Sequence, residues 1–100
     1  MSRLVMKFGG TSVADLDKIA NAAGKVAQEV ANGHEVVVIV SAMSGKTNEL
    51  VGWVKDTKQD YDQAEYDAVV SAGENLTSGL LALRLQQIGI PARSWQGWQV

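Results

Sequence analysis

The 100-residue chain contains no cysteine and only one histidine, His34. The absence of cysteine excludes disulfide scaffolds and thiolate metal sites. A single imidazole cannot form a histidine dyad, so mechanisms that need a cysteine nucleophile or two histidines are excluded as well.

The sequence also lacks long apolar runs and any large excess of charge. No stretch approaches the ~20 apolar residues of a membrane-spanning helix, and the apolar run before Lys7 is too short for a signal peptide. The net charge is −2, which gives no basic surface for nucleic acid or anionic membrane. The hydrophobic and charged fractions, 46% and 20%, are those of ordinary globular proteins. We expect one small cytoplasmic domain without nucleic-acid or membrane partners.

Two segments have the composition of β-strands. Residues 3–8 are a short apolar run closed by Gly9 and Gly10. Residues 36–40 are Val, Val, Val, Ile and Val, a β-branched run typical of a parallel strand that is covered on both faces.

Three further segments have the apolar periodicity of helices. Ser12 is predicted to cap a first helix that ends at Asn32 and Gly33, and Thr47 or Asn48 to cap a second. A third helix is predicted over residues 64–88.

Three features surround or interrupt the third helix. Residues 55–62 mix both charge signs and indicate a solvated connection. Gly73 is expected to interrupt the helix, and residues 92–95 to begin a third strand.

Alternating strands and helices predict an α/β fold with a parallel sheet and helices on both faces. Ligands of such sheets bind beyond the carboxyl ends of the strands, where loops 8–12 and 41–48 are expected.

The first loop has the composition of a phosphate site. Lys7 closes a strand, Gly9 and Gly10 permit close approach of backbone N–H groups to an anion, and hydroxyl residues follow. Lysine adds a full positive charge where a phosphoryl group could lie. The alternative interpretation is a glycine turn beside a solvated lysine.

The second loop partly imitates a P-loop, the phosphate-binding loop of many nucleotide-binding proteins. Gly45, Lys46 and Thr47 follow a strand and precede a helix. A P-loop also needs glycine five positions before Gly45, and Val40 occupies that position. The match is therefore incomplete.

Small polar residues dominate the same loop. Ser41, Ser44, Thr47 and Asn48 could hold a small polar ligand by hydrogen bonds. Turn formation and helix capping explain these residues equally well.

Glu74 lies within an otherwise apolar helix, in the segment SAGENLT of residues 71–77. Thr77 and Ser78 are three and four positions further on, which predicts that they share its face. Gly73 thins the helix surface and could admit a substrate close to the backbone. An exposed glutamate without a function is the alternative.

Three segments together, KFGGTS (residues 7–12), SAMSGKTN (41–48) and SAGE (71–74), resemble the aspartate kinases of the amino acid kinase family, in the same order. The resemblance runs from Arg3 to about Gln99. It implies a three-layer αβα sandwich with a mainly parallel sheet, of which this chain is the N-terminal part.

The resemblance also implies a reaction. Those kinases transfer a phosphoryl group from MgATP to the β-carboxylate of L-aspartate, giving 4-phospho-L-aspartate, the first step of lysine, threonine and methionine biosynthesis. Lys7 would contact the phosphoryl group, while Gly9 and Gly10 would line its path. The residues implied to hold aspartate are Ser41, Thr47 and Glu74. The complete enzyme is expected to be a homo-oligomer.

Members of the family are much longer than 100 residues. Residues 1–100 therefore correspond to the amino-acid side of the kinase domain, without the nucleotide-binding half and the regulatory ACT domains, and we expect the isolated chain to be inactive. Two other hypotheses remain open at this point. One is a P-loop-like nucleotide-binding domain, and the other is a non-catalytic fragment or interaction module.

Overall fold

The computed structural model describes residues 2–57 and 62–95. It has the predicted α/β fold, with two strands and three α-helices. In chain order the elements are β1 (Arg3–Phe8), a 3₁₀ turn (Gly10–Val13), α1 (Leu16–Ala31), β2 (Glu35–Val40), α2 (Lys46–Asp56) and α3 (Gln63–Gln87).

The two strands are parallel, as predicted, and run in register from Arg3 opposite Glu35 to Phe8 opposite Val40. One position beyond this ladder, the Ser41 N–H donates to the Phe8 carbonyl over 3.1 Å. Both strands therefore end side by side, and the loops that follow them begin at the same edge of the sheet.

Helices α1 and α3 pack together on one face of the sheet. Successive side chains of a strand alternate between faces, and apolar residues three or four apart share one side of a helix. The core cluster has members from each of these elements: Phe8, Val13, Ile19, Ala22, Ala23, Val26, Leu81 and Leu85. Burial of a residue such as Ile19, which is 2% exposed, contributes roughly 1.5 to 3 kcal/mol to stability.

The opposite face of the sheet is open. Val5 is 62% exposed, and Val37 and Ile39 are each 50% exposed. The expectation that helices cover both faces is therefore wrong for the described part of this chain, which contains the sheet and the helices of one face. The β-branched composition of β2 suits a strand with two covered faces, but the sequence of the strand does not specify what covers them.

The first helix begins later than predicted. Ser12 does not cap it, because its N–H donates to the Gly9 carbonyl over 3.0 Å within the 3₁₀ turn. Asp15 is the N-cap instead, and its carboxylate accepts from the Lys18 N–H at 2.8 Å. The intervening turn places Gly10 beside the loop that follows β2.

The second helix begins earlier than predicted, at Lys46. Its N-cap is Gly45, with φ of 81°, so neither Thr47 nor Asn48 caps it. A left-handed conformation is readily adopted by glycine, which has no Cβ to collide with the backbone. The side chains of Thr47 and Asn48 are consequently available for another role.

The third helix is continuous through Gly73, so the predicted interruption is wrong. Residues 92–95 form no strand. The Ala92 carbonyl instead accepts from the Gln86 side chain at 2.9 Å, and the Arg93 guanidinium lies 5.5 Å from the centre of the Trp95 ring.

The predicted connection at 55–62 lies partly outside the described residues. Across the described ranges, no helix has the length and apolarity needed to cross a membrane.

Two glycines should respond oppositely to the same substitution. Gly45→Ala is expected to lower the free energy of unfolding by about 1 kcal/mol, because alanine is strained at positive φ. Gly24→Ala is expected to raise it by about 1 kcal/mol, since Gly24 lies within α1 with open space around it. Urea denaturation of both variants measures the difference. Equal effects would contradict the left-handed start of α2.

Candidate functional site

A cavity of about 310 Å³ lies at the carboxyl edge of the sheet. It brings together four of the six predicted site residues, Gly10, Ser41, Thr47 and Glu74. Its walls come from the 3₁₀ turn, the loop between β2 and α2, the first turn of α2, and α3. The full lining is Gly10, Ser41, Ala42, Met43, Ser44, Gly45, Thr47, Asn48 and Glu74. We call this the edge cavity.

The polar side chains of the edge cavity have unused hydrogen-bonding capacity. Across residues 2–57 and 62–95, no intramolecular hydrogen bond involves the side chains of Ser41, Ser44, Thr47 or Asn48. Three hydroxyls and one amide are thus available to a ligand, each able to donate and to accept. The capping role considered for Thr47 and Asn48 does not apply.

The charges of the edge cavity are complementary to an amino acid. Glu74 is the one acidic or basic residue among its lining residues. The first turn of α2 also lines the cavity and has no side-chain cap. The Lys46 N–H donates to the Met43 carbonyl over 2.9 Å, but the N–H groups of Thr47 and Asn48 have no acceptor among the described residues. Free N–H groups at a helix start favour an anion, while the Glu74 carboxylate favours a cation. A ligand with both an ammonium and a carboxylate group matches this arrangement.

Lys7 and Gly9 do not line the edge cavity. Lys7 is exposed and alternates along β1 with the buried Phe8, so it lies on the open face of the sheet, opposite Ile39 in register. It has no ion-pair partner within the described ranges. Gly9 is exposed, and its carbonyl closes the 3₁₀ turn. The structure therefore leaves a cation without a partner at the end of β1, beside the edge that carries the cavity.

Lys46 does not occupy a P-loop position. Its ammonium group is 3.2 Å from the Glu49 carboxylate on the same helix, and it does not line the edge cavity. Its side-chain stem lies over Gly73 of α3. The geometry therefore speaks against the P-loop interpretation of residues 45–47.

The surface above Gly73 is filled by protein. A Cβ at that position would lie 3.0 Å from the Ala42 Cβ and 3.3 Å from both the Leu50 Cδ1 and the Lys46 Cγ. The expectation that substrate approaches the backbone here is wrong. Thr77 is also placed differently from the prediction, since it is fully buried and donates its hydroxyl to the Gly73 carbonyl at 3.0 Å.

A larger groove, of about 880 Å³, runs along the outer edge of β2. Val36, Val38, Leu81 and Leu85 contribute to its mostly apolar walls, and Glu74 borders it as well as the edge cavity. Most residues that line the edge cavity are polar, whereas most of those that line the groove are apolar. The edge cavity is therefore the better candidate site for a small polar ligand.

Ala42, to which the sequence assigned no role of its own, is 6% exposed and lies close to both Gly10 and Gly73. Nothing in the loop sequence distinguishes it from a neutral spacer. Among the described residues, no group of three or more acidic or histidine side chains is placed to hold a metal ion.

The parallel sheet, the glycine turn and a polar cavity at the carboxyl edge are typical of α/β proteins whose ligand sites lie at this edge of the sheet. The sequence model of the amino acid kinase family matches residues 2–98. The chain belongs to the amino acid kinase family.

Similar proteins within that family are aspartokinases. Aspartokinase 2 of Bacillus subtilis is 44% identical over 99 residues, which are 99% of this chain and 24% of the relative. The aspartokinase of Pseudomonas aeruginosa is 44% identical over 100 residues, 100% of this chain and 24% of that protein. A crystal structure of aspartate kinase from Synechocystis superposes with a TM-score of 0.92 at 39% identity, covering 97% of this chain and 17% of that one.

These matches confirm the resemblance to aspartate kinases and the fold class, part of the αβα fold of the amino acid kinases. The chain spans about a quarter of the length of the curated relatives.

Proposed function

We propose that this chain is the amino-acid-binding portion of an aspartokinase, which transfers the γ-phosphoryl group of ATP to the β-carboxylate of L-aspartate. The observation that carries the proposal is the edge cavity, which Glu74 lines together with Ser41 and Thr47. The similarity to aspartokinases over the whole chain supports the choice of amino acid.

Different lining residues bind the ammonium group and the carboxylate groups of L-aspartate. Glu74 binds the ammonium group, because it is the acidic residue of the cavity. Ser41, Thr47 and the N–H groups at the start of α2 donate to carboxylate oxygens. A ligand that lacks the ammonium group therefore loses the contact with Glu74.

The reaction needs no general base from this chain. An aspartate side chain has a pKa of about 3.9, so its carboxylate is already ionised near neutral pH. One carboxylate oxygen forms the bond to the γ-phosphorus while the bond from that phosphorus to ADP breaks. Lys7 stabilises the transferred group by its charge, and Gly9 and Gly10 leave its path open. Mg²⁺ accompanies ATP as part of the second substrate.

The proposal places the nucleotide-binding half and the regulatory ACT domains outside residues 1–100. It also includes cytoplasmic location, a homo-oligomeric complete enzyme, and the first step of lysine, threonine and methionine biosynthesis as the reaction's context. The fraction of the relatives that this chain matches, 24%, supports the division of the active site between this chain and further sequence.

A hybrid enzyme tests the function. In the hybrid, this chain replaces the aligned segment of Aspartokinase 2 from Bacillus subtilis, to which it is 44% identical. We expect ATP consumption that depends on L-aspartate and is not supported by L-glutamate or L-asparagine. The isolated 100-residue chain is expected to show no turnover.

Two results would contradict this proposal. One is a hybrid that unfolds cooperatively, as a folded protein does, yet consumes no ATP with L-aspartate or prefers another amino acid. The other is turnover by the isolated chain, which would place the nucleotide site within residues 1–100.

A further inference from the structure

Ala42 lies between the 3₁₀ turn and α3, beside the edge cavity that it helps to line. It lies in the loop after β2, one residue beyond Ser41, and is 6% exposed. On one side, its carbonyl oxygen would be 3.1 Å from a Cβ at Gly10 of the 3₁₀ turn. On the other, its Cβ would be 3.0 Å from a Cβ at Gly73 of α3. The loop is therefore held between two glycines from different elements.

The space between Gly73 and Ala42 is too small for an added side chain. A Cβ at this position would lie at the lower limit of observed Cβ contacts with Ala42 and would also press on Leu50, which is 7% exposed. Both neighbours are buried, and the loop that contains Ala42 lies between Gly73 and Gly10. We therefore expect an added Cβ to move α3 and the loop apart by a few tenths of an ångström.

Movement of α3 has a direct consequence for the cavity, because the next residue of that helix is Glu74. Glu74 is the residue of α3 that lines the cavity together with Ser41 and Thr47. We propose that Gly73 is a positioning residue, whose missing side chain sets the distance from α3 to Ala42 and thereby the place of the Glu74 carboxylate across the cavity. This inference rests on the proposed function for the identity of the ligand.

Gly73→Ala tests the inference in the isotopically labelled 100-residue chain. L-aspartate affinity, measured from amide chemical shifts during titration, is expected to fall by about two- to tenfold, a part of the roughly 10- to 150-fold effect of losing a hydrogen bond to a charged group. The double variant Ala42→Gly with Gly73→Ala removes the colliding methyl group from the other side. It is expected to recover most of the affinity.

Gly79→Ala is the matched control. Gly79 lies on the same helix, and a Cβ there would meet nothing within 4 Å. The Gly79→Ala variant should bind L-aspartate as the unsubstituted chain does and be slightly more stable, because alanine favours the helix.

A second measurement follows the geometry without ligand. The amide shifts of residues 41–48 should change in Gly73→Ala, return toward their original values in the double variant, and stay unchanged in Gly79→Ala. If Gly73→Ala binds L-aspartate as tightly as the unsubstituted chain, or if the double variant recovers neither affinity nor amide shifts, the inference is wrong. If the unsubstituted chain does not bind L-aspartate, the proposed function fails, while the ligand-free shifts still decide whether Gly73 sets the position of α3.

Discussion

Lys7→Ala in the hybrid enzyme is expected to lower kcat by about 10² to 10³-fold while changing the KM for L-aspartate little. A positive group aimed at charge that develops in the transition state has effects of this size. Lys7 suits this role because it stands at the carboxyl end of β1 without an ion-pair partner in the described structure, and it does not line the cavity assigned to the amino acid. Steady-state kinetics with varied L-aspartate and ATP separate the two effects.

Lys25→Ala provides the control for Lys7→Ala. Lys25 is an exposed lysine on α1, so its removal changes the net charge equally without altering the sheet edge. The Lys25→Ala variant should retain the activity of the unsubstituted hybrid enzyme. A Lys7→Ala enzyme with an unchanged kcat would remove Lys7 from the proposed mechanism.

Glu74→Gln is expected to weaken L-aspartate binding by about 10- to 150-fold, with little change in the KM for ATP. The substitution keeps the size of the side chain and removes its charge. A hydrogen bond to a charged group contributes about 1.5 to 3 kcal/mol, which corresponds to this range. The carboxylate has no intramolecular partner within the described ranges, so its removal leaves no other protein group unpaired.

Glu65→Gln is the matched control for Glu74→Gln. Glu65 is an exposed glutamate in the first turn of the same helix, outside the edge cavity. The Glu65→Gln hybrid enzyme should bind L-aspartate as tightly as the unsubstituted hybrid enzyme does. Equal affinities of the Glu74→Gln and Glu65→Gln enzymes would show that Glu74 does not bind the ammonium group.

The strands and their parallel pairing could be predicted from local composition. The β-branched run at 36–40 and the two glycines after Phe8 each favour one structure, and alternation with helical segments then favours a parallel sheet. Helix starts were less predictable. Ser12 and Asp15 are both good N-caps, and the backbone conformation of Gly45 could not be deduced from its neighbours.

The cavity was only partly predictable. The sequence could place Ser41 and Thr47 at the carboxyl edge, since Ser41 follows β2 directly and Thr47 lies at the start of the next helix. The approach of Glu74 to them depends on the packing of Gly73 against Ala42, more than thirty positions away in sequence, and no local pattern reveals it. The open face of the sheet can be expected from the length of the chain relative to its family but not from strand composition, because composition does not show whether the covering helix lies in the same segment.

The most direct test of the central claim is titration of the ¹⁵N-labelled chain with L-aspartate, compared with succinate, which has both carboxylates but no ammonium group. Binding at the edge cavity predicts saturable amide shifts at Gly10, Ser41, Thr47 and Glu74, and much weaker binding of succinate. Shifts confined to the apolar groove along β2, or equal affinities for L-aspartate and succinate, would contradict it.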